Sequence, residues 1–100
     1  MDNKSETVFT VNEAQNQFEL AVGDHIAFLE YYTEGNKIFM THTEAPDELR
    51  GTGAAPRLVG MAMQYAKDNN LAVVPLCSYV GKYINNHPEW YDILTEGYKM

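Results

Sequence analysis

Two stretches of this chain carry residue types that do chemistry. The first, Glu48-Leu49-Arg50-Gly51-Thr52-Gly53-Ala54-Ala55-Pro56-Arg57-Leu58-Val59, sets two closely spaced glycines ahead of the best amphipathic helix pattern in the sequence. Glycine lets a backbone approach a ligand closely, and the first turn of a helix offers unpaired N–H groups with a partial positive charge. Together they form an anion cradle suited to phosphate, and so to a phosphate-bearing cofactor. The second stretch holds Cys77, the one cysteine of the chain, whose thiol is either core filler or a reactive group. With no second cysteine, an intramolecular disulfide and a metal site built on several cysteines are both excluded.

The elements that must position these residues change character midway. Thr7–Val11 and Gln17–Val22 are β-rich runs joined by the polar Asn12-Glu13-Ala14-Gln15-Asn16, which predicts a hairpin with Phe18, Leu20 and Val22 on one face. Gly23-Asp24 turns the chain into His25–Tyr32, apolar on both faces and so predicted as a central strand. After Glu34-Gly35-Asn36-Lys37, a fourth strand over Ile38–Glu44 is expected to set Ile38, Met40 and His42 on one face. Pro46-Asp47-Glu48 is a polar connection, and beyond it the period shifts from two to 3.6. A helix from about Ala55 to Asn69 gathers Leu58, Val59, Ala62, Met63 and Ala66 on one side, with Pro56 tolerated in its first turn.

Leu71–Cys77 reads as a short apolar strand returning parallel to the fourth through a right-handed crossover. Ser78–Asn86 predicts a second helix capped by Ser78 and weakened by Gly81. His87-Pro88 ends it and starts another, with Trp90, Ile93 and Leu94 spaced to pack inward. The expected fold is α/β: a four-stranded antiparallel meander, a parallel fifth strand, one main helix and short C-terminal helices.

Length and charge bound the function. One hundred residues make one domain, 1–100, and 45% hydrophobic content with 12% aromatics suffices for a packed core. Seven basic against fourteen acidic residues give a charge of -7, which repels polyanions and argues against nucleic acid. No apolar run reaches bilayer length and residues 1–6 lack a signal peptide's apolar core, so no membrane is expected and the cytoplasm is the default location.

Common nucleotide motifs fail on the glycine stretch. Pro56 stands where the dinucleotide fingerprint wants its last glycine, and no Gly-Lys-Ser/Thr follows to make a P-loop. What fits is Arg50-x-x-Gly53-x-Ala55 entered from a polar loop after a strand, which resembles the pyrophosphate-binding signature of the GNAT superfamily of N-acetyltransferases. The resemblance sharpens over three linked blocks: His42-Thr43-Glu44 ahead of Arg50-Gly51-x-Gly53, then Pro75-Leu76-Cys77-Ser78-Tyr79-Val80, then His87-Pro88-Glu89-Trp90. From about Val8 to Leu94 the chain is similar to a group of short, single-domain GNAT-like N-acetyltransferases.

That resemblance implies acetyl-CoA, or another acyl form of coenzyme A, as the bound group. Its pyrophosphate would lie on backbone N–H groups of Arg50, Gly51, Thr52, Gly53, Ala54 and Ala55, and its pantetheine arm between the splayed fourth and fifth strands, beside Thr43. The thioester would fall near Cys77, where this short group characteristically carries a cysteine. A thiolate attacks such a carbonyl once a base or a positive environment favours it. His42, ending the neighbouring strand, is the candidate partner; the bland alternative is a buried thiol beside a hydrogen-bonded histidine. GNAT enzymes more often let the amine attack directly, frequently with a tyrosine as acid, and Tyr79 and Tyr83 are nearest. Both tyrosines also suit a core, and His87 suits a brace for the last helix.

The chain departs from full-length GNAT enzymes in lacking the N-terminal helices that cover the acceptor site. An acyltransferase here would have an open site, one completed by a second subunit in a homodimer, or one suited to a large amine or protein acceptor. The alternative is a non-catalytic module that binds CoA or acyl-CoA. A Cys–His hydrolase ranks below both, because no third group is identifiable to orient the histidine.

Overall fold

Alternation of β-formers with polar turns through the first half produces four antiparallel strands. They are β1 (Thr7–Asn12), β2 (Gln17–Val22), β3 (His25–Glu34) and β4 (Lys37–Glu44), joined by tight turns at Gly23-Asp24 and Gly35-Asn36. The computed structural model describes residues 7–94, so the expectations for residues 1–6 and for the ends of a 1–100 domain lie outside the described residues. A short 3₁₀ turn (Asp47–Leu49) leads to helix α1 (Ala54–Asp68), strand β5 (Ala72–Pro75), helix α2 (Ser78–Asn85) and a 3₁₀ segment (Pro88–Ile93). The sheet runs in the order β1-β2-β3-β4-β5, with β4 and β5 parallel and the other pairs antiparallel.

One face of this sheet is the core. Phe18 and Leu20 of β2, Leu29 of β3, Ile38 and Met40 of β4 and Val73 of β5 are fully buried. They meet the predicted stripe of α1, where Leu58, Val59, Ala62, Met63 and Ala66 are equally inaccessible, and Val80 and Ile84 of α2. Each such aliphatic side chain contributes about 1.5–3 kcal/mol by leaving water. Gly81, which weakens α2 by propensity, is buried, so packing outweighs its cost. The last predicted helix forms as a 3₁₀ segment with no fully buried residue; Trp90, Ile93 and Leu94 are half-buried against the core. Among the described residues, no helix is long and apolar enough to cross a membrane.

The sheet bears out one expectation and corrects another. β3 is central, but its second face stays open: Ile26 is 50% and Tyr32 46% exposed. The apolar alternation identified a central strand without revealing that the helices pack on one side only. In β4, Glu30 pairs with His42 and Tyr31 with Met40, so Thr41 is an extra residue, a β-bulge. The bulge reverses the alternation. Ile38 and Met40 face the core, but His42 shares the open face with Glu30, and Thr43, opposite buried Leu29, turns inward.

Burial also raises the Tyr31 phenol above its ordinary value, reinforced by Tyr65 and Glu13, and burial with Tyr83 does the same to Tyr79. The folded state therefore holds these protons more tightly than the unfolded chain. Stability is intact below the unfolded value of about 10 and falls as pH rises past it. Thermal melts between neutral pH and about pH 11 should show Tm declining above pH 10, and Tyr31→Phe should make that decline shallower.

Candidate anion cradle and thiol site

The glycine stretch folds into a loop shaped by two left-handed residues. Gly51 and Gly53 have φ of +81° and +80°, and a β-carbon on either would meet nothing within 4 Å, so glycine is needed there for conformation and not for space. Gly53 caps α1 through its backbone, and no side chain occupies the cap. Thr52 braces the loop: its hydroxyl donates to the Leu49 carbonyl at 2.6 Å and accepts the Ala54 N–H at 3.2 Å. That hydroxyl is thereby committed within the loop, so Thr52 serves the cradle as a brace.

The loop's remaining donors point outward. Among the described residues, the backbone N–H groups of Gly51, Gly53 and Ala55 make no hydrogen bond to the protein. They border a cavity of about 220 Å³ also lined by Ala45, Pro46, Asp47 and Arg50. Such a donor set, beside the N-terminus of α1, fits a pyrophosphate. Arg50 is bound to Asp47 at 3.2 Å in a fully solvated pair, which is weak and easily exchanged for a phosphate contact. By residue type Pro46 and Asp47 read only as a connection; the Asp47-x-x-Arg50 spacing is the signal that they belong to this loop.

The thiol lies where β4 and β5 part. Their pairing runs from Lys37 with Ala72 to Met40 with Pro75, after which β4 continues to Glu44 while the other chain turns into α2. Cys77 occupies the residue before α2, 8% exposed, with its N–H donating to the Met40 carbonyl at 2.9 Å. Its Sγ lies 3.4 Å from the Thr43 hydroxyl. The expected Cys77–His42 pair is not assembled. His42, more than half exposed, donates from Nε2 to Glu44 Oε1 at 2.9 Å on the open face. The Thr41 bulge brings Thr43, one residue further on, to the sulfur in its place.

Tyr79 lies two residues beyond the thiol in the first turn of α2, half-buried, with its phenol held protonated by burial and by Tyr83. Tyr83 stacks on His87, ring centroids 4.0 Å apart, and its hydroxyl occupies the space a β-carbon on Gly60 would take. His87 Nδ1 donates to the Tyr83 carbonyl at 2.7 Å, securing the end of α2. Tyr83 and His87 thus join α1 to α2 and brace the turn that follows.

Known proteins resemble this chain in sequence and fold. The family model for GCN5-related N-acetyltransferases matches residues 17–93. Protein NATD1 of Xenopus tropicalis is 29% identical over 91 residues, 88% of this chain and 84% of that protein. Human protein NATD1 is 31% identical over 65 residues, 65% of this chain but only 58% of its own length. The NMR solution structure of a GCN5-like protein from Staphylococcus aureus superposes with a TM-score of 0.69 at 23% identity, covering 95% of this chain and 91% of that one.

The left-handed glycines make a direct stability test. Gly53→Ala places a β-carbon at φ +80° and should destabilise the fold by about 1–2 kcal/mol in urea denaturation, without loss of core packing in near-UV circular dichroism.

Proposed function

The chain belongs to the GCN5-related N-acetyltransferase family, and on that premise we propose that it is a minimal acyl-CoA-dependent N-acyltransferase with acetyl-CoA as donor. The observation that carries the proposal is the row of unpartnered N–H groups on Gly51, Gly53 and Ala55 at the glycine turn. These groups hold the pyrophosphate, and Arg50 leaves Asp47 to add a charged contact. The bound donor supplies a thioester carbonyl open to attack by a nucleophile.

The chain's own residues then act at the gap between β4 and β5. Cys77 presents its sulfur at the positive end of the α2 dipole, and the Thr43 hydroxyl orients it from 3.4 Å. In one route the sulfur takes the acyl group, releasing the CoA thiol, and an acceptor amine then removes it. In the other the amine attacks directly, and Tyr79, held protonated, gives its proton to the leaving thiolate. The acceptor is an amine or a protein side chain that reaches the site from solvent.

A specific observation favours a second reading, a CoA-binding module without turnover: no imidazole faces the thiol, since His42 is engaged by Glu44 on the other side of the sheet. Incubation with acetyl-CoA followed by intact-mass measurement tests the two. An acetyl increment absent from Cys77→Ser is expected for the covalent route. Acetylation of added amines without such an increment identifies direct transfer, and binding with neither leaves the module. Calorimetry that detects no binding of CoA or acetyl-CoA overturns both. Arg50→Ala should weaken CoA binding about tenfold, as expected for loss of a charge-assisted phosphate contact of 1.5–3 kcal/mol partly replaced by water.

A further inference from the structure

The sheet's open face is organised and not merely bare. Register places Val8, Ala21 and Ile26 in one row across β1–β3, and Tyr32, Phe39 and Val74 in another across β3–β5. Val8 is 51%, Ile26 50% and Tyr32 46% exposed, and the Tyr32 and Phe39 rings stack at 4.6 Å, presenting a flat aromatic plate. Among the described residues, α1 and α2 both pack on the opposite face, and no element covers this one. Isolated exposed apolar residues are ordinary, but each of these rows aligns three apolar residues across neighbouring strands, and the two strips lie at opposite ends of one uncovered face, a pattern that marks an interaction surface.

The space between the rows is acidic. Glu30 faces His42 across the β3–β4 pair, and Glu19 and Glu44 flank Phe28 on either side. With Glu34 at the edge, the face carries four carboxylates, against Lys37 as the single lysine or arginine in the five strands. This charge selects among occupants. A second copy would bring the same four carboxylates on a chain of net charge -7, so self-association through this face sets like charges together. A cationic partner meets no such penalty. From Ile26 to Tyr32 the strand advances about 20 Å, the length of roughly four helical turns.

We infer that this face is a docking surface for a cationic amphipathic helix of a partner protein. Apolar residues near the two ends of that helix seat on the Ile26 and Tyr32 rows, and central lysines or arginines meet Glu30 and Glu44. Such a helix covers the open face as α1 covers the other, completing a three-layer arrangement.

The test uses the full chain and two synthetic peptides of about four helical turns, one with leucines near both ends and lysines between them on the same face, and one with glutamate replacing lysine. In an ¹⁵N NMR titration, the lysine peptide should bind saturably and shift amides of β1–β4, centred on Ile26, Glu30 and Tyr32. The glutamate peptide should bind at least about tenfold more weakly. Ile26→Ser with Tyr32→Ser should cost about tenfold, and Glu30→Gln with Glu44→Gln about fivefold, each with the melting temperature within a few degrees of the unsubstituted chain. Equal affinity for both peptides, shifts confined to the helices, or no binding overturns the inference. So does a dimer in sedimentation equilibrium that Tyr32→Ser dissociates, which would assign the face to a second copy. No acyl-CoA is present, so the result is independent of the acyltransferase proposal.

Discussion

The carbonyl of Met40 is the hinge on which the site turns. It accepts two N–H groups at once, from Leu76 at 3.0 Å and Cys77 at 2.9 Å, at the last pair of the parallel β4–β5 ladder. Beyond this pair both following residues are drawn onto the one acceptor, and the ladder stops there. The chain is then free to enter α2 while β4 runs on to Glu44. The gap between the strands, the position of Cys77 at its apex and the placement of Thr43 across from the sulfur all follow from this early termination. A longer ladder would close the gap.

The Thr41 bulge is the second constraint, and it acts on the same strand. One extra residue moves every later side chain of β4 to the opposite face, exchanging His42 for Thr43 beside the sulfur. A Cys–His pair would suggest a nucleophile activated by its own base. A Cys–Thr pair gives orientation and hydrogen bonding without a strong base, so deprotonation would depend on solvent or on the incoming amine. Within the proposed acyltransferase, this geometry favours direct amine attack with Tyr79 as acid.

Two helices cover one side of a five-stranded sheet and nothing among the described residues covers the other, so Ile26, Tyr32 and Phe39 remain partly in water. Natural sheets tolerate one wet face when it is polar. Here it alternates apolar rows with carboxylates. The glycine loop and this face carry opposite electrostatics, unpaired N–H donors on one and glutamates on the other, and a single small sheet keeps the two apart.

Much of this molecule is legible in its residues taken in order. The β-former runs and their polar turns located five strands within a few residues, and the spacing of Leu58, Val59, Ala62, Met63 and Ala66 identified the buried side of α1, because periodicity is a local property. The two glycines likewise announced a loop that only residues without a β-carbon adopt comfortably. Which face each side chain occupies past Met40 was not readable, because a bulge is set by how two strands register and leaves no local mark at Thr41. Nor could the order of residues reveal that both helices lie on one side of the sheet, since the alternation of β3 is equally consistent with a doubly covered strand. Local chemistry determined the elements and the glycine loop; long-range pairing decided which residue meets the thiol and which face of the sheet stays uncovered among the described residues.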